Sequence, residues 1–156
     1  MPHSLSAQFG LNVQPLHTDG AHQVSPPDVV VLISELPSAT PTWLRRVGDR
    51  DEGTPWDDLN GGMFLVGGGP SAFFAPASDG GGCVRFDPGC MSPCDSRARA
   101  AATFLSDTTE AVAYEWTEPG QVLVIDNSRT LHARGAVGSD DLDRELLRVA
   151  LRVARS

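Results

Sequence analysis

Apolar and polar positions along this chain change period several times, and each change marks an element. Val29-Val30-Val31-Leu32-Ile33 is an unbroken apolar run, mostly β-branched, introduced by Pro26-Pro27. That pattern predicts a strand buried on both faces. Residues 45–62 turn polar and acidic with Gly, Pro and Asp, and predict a long surface loop. Residues 63–66 and 72–75 read as short strands flanking the turn signal Gly67-Gly68-Gly69-Pro70. Residues 83–86 read as another strand, preceded by a second glycine run. Neither glycine run opens a helix after a strand, so both read as turns rather than phosphate cradles.

One helix is well marked. Ser92-Pro93-Cys94-Asp95 offers an N-cap serine, a proline at the first helical position and an acid at the third, ahead of an alanine-rich stretch ending near Ser106. Strand patterns return at 112–116 and 122–125, on either side of Glu118-Pro119-Gly120. In 144–153, alternation predicts a strand with Arg144, Leu146, Arg148, Ala150 and Arg152 on one face, though Leu, Ala and Arg also suit a helix.

Length and composition narrow the class. The 156 residues make one domain, 1–156. Sixteen glycines and twelve prolines imply many turns between short elements, which favours a mainly β architecture. The net charge of −8 and pI near 4.8 disfavour nucleic acid and membrane surfaces as partners. All twelve basic residues are Arg. The absence of Lys excludes a lysine Schiff base and a Walker-type phosphate loop, while Arg suits the two-pronged grip of a carboxylate. No basic and apolar leader is visible at the start and no apolar run is long enough to span a bilayer, so a cytoplasmic location is expected. There Cys83, Cys90 and Cys94 would be reduced thiols. Their spacing matches no zinc pattern.

The candidate chemistry begins at His17-Thr18-Asp19. On an extended strand, residues two apart share a face, with Cα atoms about 6–7 Å apart, which suits two ligands meeting at one metal. His132 is the natural third. Two histidines and a carboxylate on one face of an octahedron leave three positions open, the mark of a non-haem Fe(II) oxygenase. A His-x-acid pair also arises by chance among four histidines and twenty acids. His17 would then be a hydrogen-bonded loop histidine.

Three segments carry a resemblance: Gln14-Pro15-Leu16-His17-Thr18-Asp19-Gly20-Ala21-His22, Asp126-Asn127-Ser128-Arg129-Thr130-Leu131-His132-Ala133-Arg134, and Arg144-Glu145-Leu146-Leu147-Arg148. In order and spacing, from Pro15 to Arg152, they resemble the taurine dioxygenase/clavaminate synthase family of Fe(II)/2-oxoglutarate oxygenases. The resemblance implies a double-stranded β-helix, a jelly-roll barrel of the cupin type with one or two flanking helices. It makes His17, Asp19 and His132 the iron ligands and Arg144 the partner of the distal carboxylate of 2-oxoglutarate, the co-substrate. A dicarboxylate chelating a metal at one end needs a guanidinium for its buried far end, which points the same way. By the same resemblance the Thr42 hydroxyl bonds that carboxylate. Arg148 supports the co-substrate or meets an anionic group of the substrate. His22, Arg85 with Asp87, and Arg134 stay open, and Asp126-Asn127 reads as a tight turn.

The activity implied is oxidation by O2 of a small polar molecule, such as an amino-acid derivative or natural-product intermediate. The alternatives are a non-catalytic jelly-roll binding module or partner subunit, and a cupin enzyme independent of 2-oxoglutarate. Only sixteen residues precede His17, fewer than the family usually carries. An unpaired edge or uncovered sheet face is therefore expected, and with it a homodimer or partner subunit.

Overall fold

The computed structural model describes residues 9–48 and 53–154. Its elements are β1 (Val29–Ser34), β2 (Ser38–Arg46), α1 (Trp56–Gly61), β3 (Phe64–Val66), β4 (Phe73–Ala75), β5 (Met91–Pro93), α2 (Ser96–Ser106), β6 (Val112–Trp116), β7 (Gln121–Asp126), β8 (Thr130–Arg134) and β9 (Leu146–Leu151). The chain is mainly β, and every strand pairing is antiparallel. Three sheets form, in the orders β7-β1-β9, β6-β2-β8 and β4-β3-β5. No helix among the described residues is long and apolar enough to cross a membrane.

The sheet β6-β2-β8 separates two apolar regions. On one side Leu131 and Ala133 join Phe64, Phe86, Leu59 and the buried face of α2 in the larger core. On the other, Val30, Leu32, Trp116 and Ile125 make a smaller cluster, packed by Leu44, Tyr114, Leu123 and Leu146. These residues come from both β7-β1-β9 and β6-β2-β8, so the two sheets face each other across a shared interior. His132 and Arg134, alternating with Leu131 and Ala133 on β8, take the face towards that interior.

Strand β2 was hidden in the sequence by Pro37 and Pro41. Proline cannot donate to a ladder and is expected only at edges or bulges, yet β2 is the central strand of its sheet. The β2–β6 register shifts between Ser38 and Thr42, where Pro41 lies. The irregularity absorbs the missing donor.

The expected loop over 45–62 begins later than composition suggested and is partly helical. Arg45 is buried on β2, and α1 lies inside the stretch with Leu59 fully buried; residues 49–52 lie outside those described. A Cβ on Gly62 would come within 2.4 Å of the Ala98 backbone nitrogen, so α2 meets the end of α1 at a point where only glycine fits.

Three further expectations change. The N-cap of α2 is Asp95, whose side chain accepts from the Ala98 N–H at 2.7 Å. Ser92 and Pro93 are drawn out of the helix because they pair with β3 as part of β5. Residues 83–86 contribute a single bridge, Ser78 to Val84, in place of a strand. β1 is fully buried on one face only. Its other face, Val29, Val31 and Ile33, is flanked in register by Val122 and Val124 of β7 and by Leu147, Val149 and Leu151 of β9. All five flanking residues are exposed. Such a contiguous apolar patch is characteristic of a contact surface.

If α1 is a packed element, Leu59→Ala should lower unfolding stability by about 2–5 kcal/mol in chemical denaturation, as for core leucines generally. A residue on a solvated loop would change it by no more than about 0.5 kcal/mol.

Candidate metal centre

His17 and His132 lie opposite each other as an antiparallel bridge, each donating its backbone N–H to the other's carbonyl, at 3.0 and 2.9 Å. Directly opposed residues put their side chains on the same face. The two imidazoles consequently meet, with ring centroids 4.4 Å apart. His17 Nδ1 donates to the Pro15 carbonyl at 2.9 Å, which leaves Nε2 with its lone pair facing inward.

Asp19 completes the set from the end of the same segment. Thr18 anchors the middle: its N–H donates to the Phe86 carbonyl at 2.7 Å, and its hydroxyl accepts from the Phe86 N–H at 3.0 Å. Beyond it the chain turns at Gly20, in the left-handed region at φ +67°, where a Cβ would lie 2.6 Å from Pro27 Cδ. Asn127 clamps Asp19 at the backbone. Its Oδ1 accepts the Asp19 N–H at 2.8 Å, and its Nδ2 donates to the carbonyls of Asp19 (3.0 Å) and Pro27 (2.8 Å). The turn read at Asp126-Asn127 is present, with Asp126 Oδ1 accepting from Ser128 N–H and Oγ–H. The sequence alone gives no sign that its second residue is buried and holds a residue 108 positions away.

All three side chains are buried, and one ligand atom from each lies within 4.8 Å of the others. Asp19 Oδ1 stands 3.6 Å from His17 Nε2 and 3.5 Å from His132 Nε2. A cation bonded at about 2.1 Å to each in cis positions would set these atoms about 3 Å apart, so each of these two aspartate–histidine gaps needs to close by only about half an ångström. Asp19 Oδ2 and His132 Nδ1 are buried without a hydrogen-bond partner, a cost that a ligated cation would offset at the carboxylate. The protonation states agree with that role. Burial, partly opposed by Asp19, holds His132 below the usual imidazole value and hence neutral at pH 7. Burial alone would raise the Asp19 carboxyl, but His132, His17 and the Arg148 charge outweigh it and keep it ionised far below the usual range. The residues present fit a divalent metal.

The arginines take different partners. Arg148, opposite Leu32 in the β1–β9 register, reaches in and donates from Nη1 to Asp19 Oδ1 at 3.0 Å. Arg144 lies before β9 and donates from Nε to Ser38 Oγ at 3.0 Å. Burial lowers its pKa first, the nearby Arg134 charge lowers it further, and Asp141 pulls the other way. Thr42, opposite Arg134, is buried, and its Oγ1 accepts from Trp116 Nε1 at 3.1 Å. Arg134 Nη2 ties down the carbonyls of Gly10 and Asn12.

Other candidates fall outside this set. His22 is exposed. Arg85 lines a cavity of about 550 Å³ that includes none of the triad, and its guanidinium is held by the carbonyls of Ala21, Gln23 and Val24. Asp87 is buried in a turn with Gly89. The three cysteines are free, and burial together with Asp87 pushes the Cys90 thiol up to about 12.

No protein-family model matches the chain, and no curated protein matches it in sequence. Its fold is shared with solved structures. An asparagine oxygenase superposes with a TM-score of 0.74 at 24% identity, over 90% of this chain and 49% of that one. The non-heme iron oxygenase OrfP in complex with Fe superposes with a TM-score of 0.71 at 23% identity, over 90% of this chain and 51% of that one. The chain spans about half the length of the structures it matches.

Asn127→Ala removes three buried hydrogen bonds around Asp19. It is expected to lower stability by about 2–4 kcal/mol in denaturant melts and to weaken divalent-metal binding about 10–100-fold by calorimetry. Unchanged metal affinity would show that the clamp does not orient the carboxylate.

Proposed function

We propose that this chain is an Fe(II)- and 2-oxoglutarate-dependent dioxygenase of the taurine dioxygenase/clavaminate synthase family, a single domain built on a double-stranded β-helix. The observation that carries the reading is the buried His17–Asp19–His132 set, with Arg148 bonded to Asp19 and Arg144 bonded to Ser38 on β2. The shared fold supports it, since the asparagine oxygenase has been solved with Fe(II), 2S,3S-3-hydroxyasparagine and succinate, and OrfP with Fe and alpha-ketoglutaric acid. The substrate class proposed is a small polar molecule, such as an amino-acid derivative or natural-product intermediate.

In this reading His17, Asp19 and His132 hold the iron. When bound there, iron together with 2-oxoglutarate and O2 would supply oxidation of an unactivated C–H bond, with succinate and carbon dioxide as co-products. The protein binds and orients. Arg144, whose two terminal nitrogens bond to nothing among the described residues, grips the distal carboxylate. Thr42 accepts from Trp116 and so keeps its own hydroxyl proton for the same anion. Arg148, already on Asp19, fixes the carboxylate edge and presents positive charge to an anionic group of substrate or co-substrate. Val30, Leu32, Trp116 and Ile125 exclude water below. The free cysteines suit a reducing, cytoplasmic setting.

The homodimer or partner subunit expected from the sequence would find its contact surface in the apolar face of β7-β1-β9. Sedimentation of the purified chain faster than a 16.6 kDa monomer supports self-association, and a monodisperse monomer removes it.

Anaerobic titration with Fe(II) and then 2-oxoglutarate is expected to give a saturable visible charge-transfer band that His17→Ala lacks. Arg144→Leu should retain Fe(II) binding but raise the 2-oxoglutarate KM at least about 100-fold, the loss of two charge-assisted hydrogen bonds. A folded, iron-loaded protein with no band would overturn the assignment.

A further inference from the structure

Asp141 was singled out by no motif, yet it is the most heavily bonded carboxylate near the proposed co-substrate site. Its Oδ2 accepts from the Ser38 hydroxyl at 2.7 Å, from the Thr40 N–H at 3.1 Å and from the Thr40 hydroxyl. Ser38, Thr40 and Thr42 alternate on the buried face of β2, so this carboxylate lies along the same row as the proposed anion-binding threonine. Its backbone carbonyl also accepts the Arg144 N–H at 3.1 Å, and its own N–H donates to Gly138. Asp141 is only 8% exposed.

The Ser38 hydroxyl has one proton and commits it to Asp141, or more weakly to the Thr40 carbonyl at 3.4 Å. Its oxygen lone pairs then face the remaining donors, Arg144 Nε at 3.0 Å and Thr40 N–H at 3.2 Å. A carboxylate can only accept, so it fixes the direction of this relay. With Nε engaged, the guanidinium plane is held by one edge, and both terminal nitrogens remain for an incoming anion.

We propose that Asp141 is a positioning residue for the co-substrate: through Ser38 it orients Arg144 to receive the distal carboxylate of 2-oxoglutarate. The inference rests on the dioxygenase reading. Burial would raise the Asp141 carboxyl, but the Thr40 and Ser38 bonds and the Arg144 charge outweigh it, so the acceptor stays ionised through the neutral range. It also places a negative charge between β2 and Arg144, which offsets the repulsion between Arg144 and Arg134.

Asp141→Ala removes the acceptor, and nothing then fixes where the Ser38 hydroxyl points its proton. The test compares 2-oxoglutarate with 2-oxopentanoate, which keeps the chelating 2-oxo acid and lacks the distal carboxylate. Binding of each to the Fe(II)-loaded protein is measured by anaerobic calorimetry. Wild type is expected to prefer 2-oxoglutarate. Asp141→Ala should lose about tenfold of that preference, equivalent to one charge-assisted hydrogen bond, with 2-oxopentanoate binding and Fe(II) affinity unchanged. Ser38→Ala, which leaves the buried charge in place, should lose preference in the same direction and carries the test if Asp141→Ala does not fold. A preference that persists or grows in a folded variant overturns the proposal; growth would mean that Asp141 competes for Arg144 instead of presenting it. A wild type with no preference would instead sink the dioxygenase reading.

Discussion

His17 and His132 are 115 positions apart, and each gives its backbone N–H to the other's carbonyl. The rest of the centre depends on that exchange, because it fixes three things at once. It sets the two imidazoles on one face, since directly opposed residues in an antiparallel bridge project together. It extends β6-β2-β8 by one more segment, so the His17 backbone is held by a sheet instead of a free loop. It also places Asp19 two residues on, where the chain leaves the bridge and must be clamped by something else. Asn127 supplies that clamp from the turn between β7 and β8, only five residues before His132. These two fixings of the His-x-Asp segment come from one short stretch of chain, and Thr18 is held to Phe86 between them.

What could be read from the sequence divides along physical lines. His17-Thr18-Asp19 and His132 were visible because a ligand set needs particular atom types, and Val29 to Ile33 because a β-branched run has few alternatives to a strand. β2 was not visible. Its prolines argue against a central strand, and only the tertiary pairing with β6 and β8 reveals that a register shift accommodates Pro41. The cap of α2 was misplaced for a related reason: Ser92-Pro93 has the local chemistry of a helix start, but pairing with β3 outcompetes it and Asp95 takes the role. Asn127 and Asp141 were missed as site residues because their importance lies in burial and long-range partners. Nothing in a dipeptide such as Asp126-Asn127 or Asp140-Asp141 encodes either.

The interior keeps its charges in two separate arrangements, and their difference matters. At the triad, Asp19 faces two imidazoles and one guanidinium, so the acceptor is shared among three partners and one of its oxygens stays unpaired. Around Asp141 the partners are mainly hydroxyls and a backbone N–H, which satisfy the carboxylate without neutralising it. A group of the first kind is poised to take a cation. The second kind is a fixed support that holds a neighbouring cationic side chain in place. Val30, Leu32, Trp116 and Ile125 make up the apolar cluster of this interior, and Trp116 donates from it to Thr42.

The two faces of β7-β1-β9 are finished differently. On the inner side the backbone of the triad is bonded within the described residues, while Asp19 Oδ2 and His132 Nδ1 stay unpartnered. On the outer face, Val124, Leu147 and Leu151 remain exposed in register with a central strand whose inner face is fully buried. Because successive strand residues alternate faces, the inner set of β1 that floors the proposed pocket and its outer apolar set are coupled through the same backbone. The inner neighbours of that outer face are Val30, Leu32 and the β9 position of Arg148. Of the charged groups at the centre, Arg148 stands nearest to the outer face, because its strand pairs directly with β1.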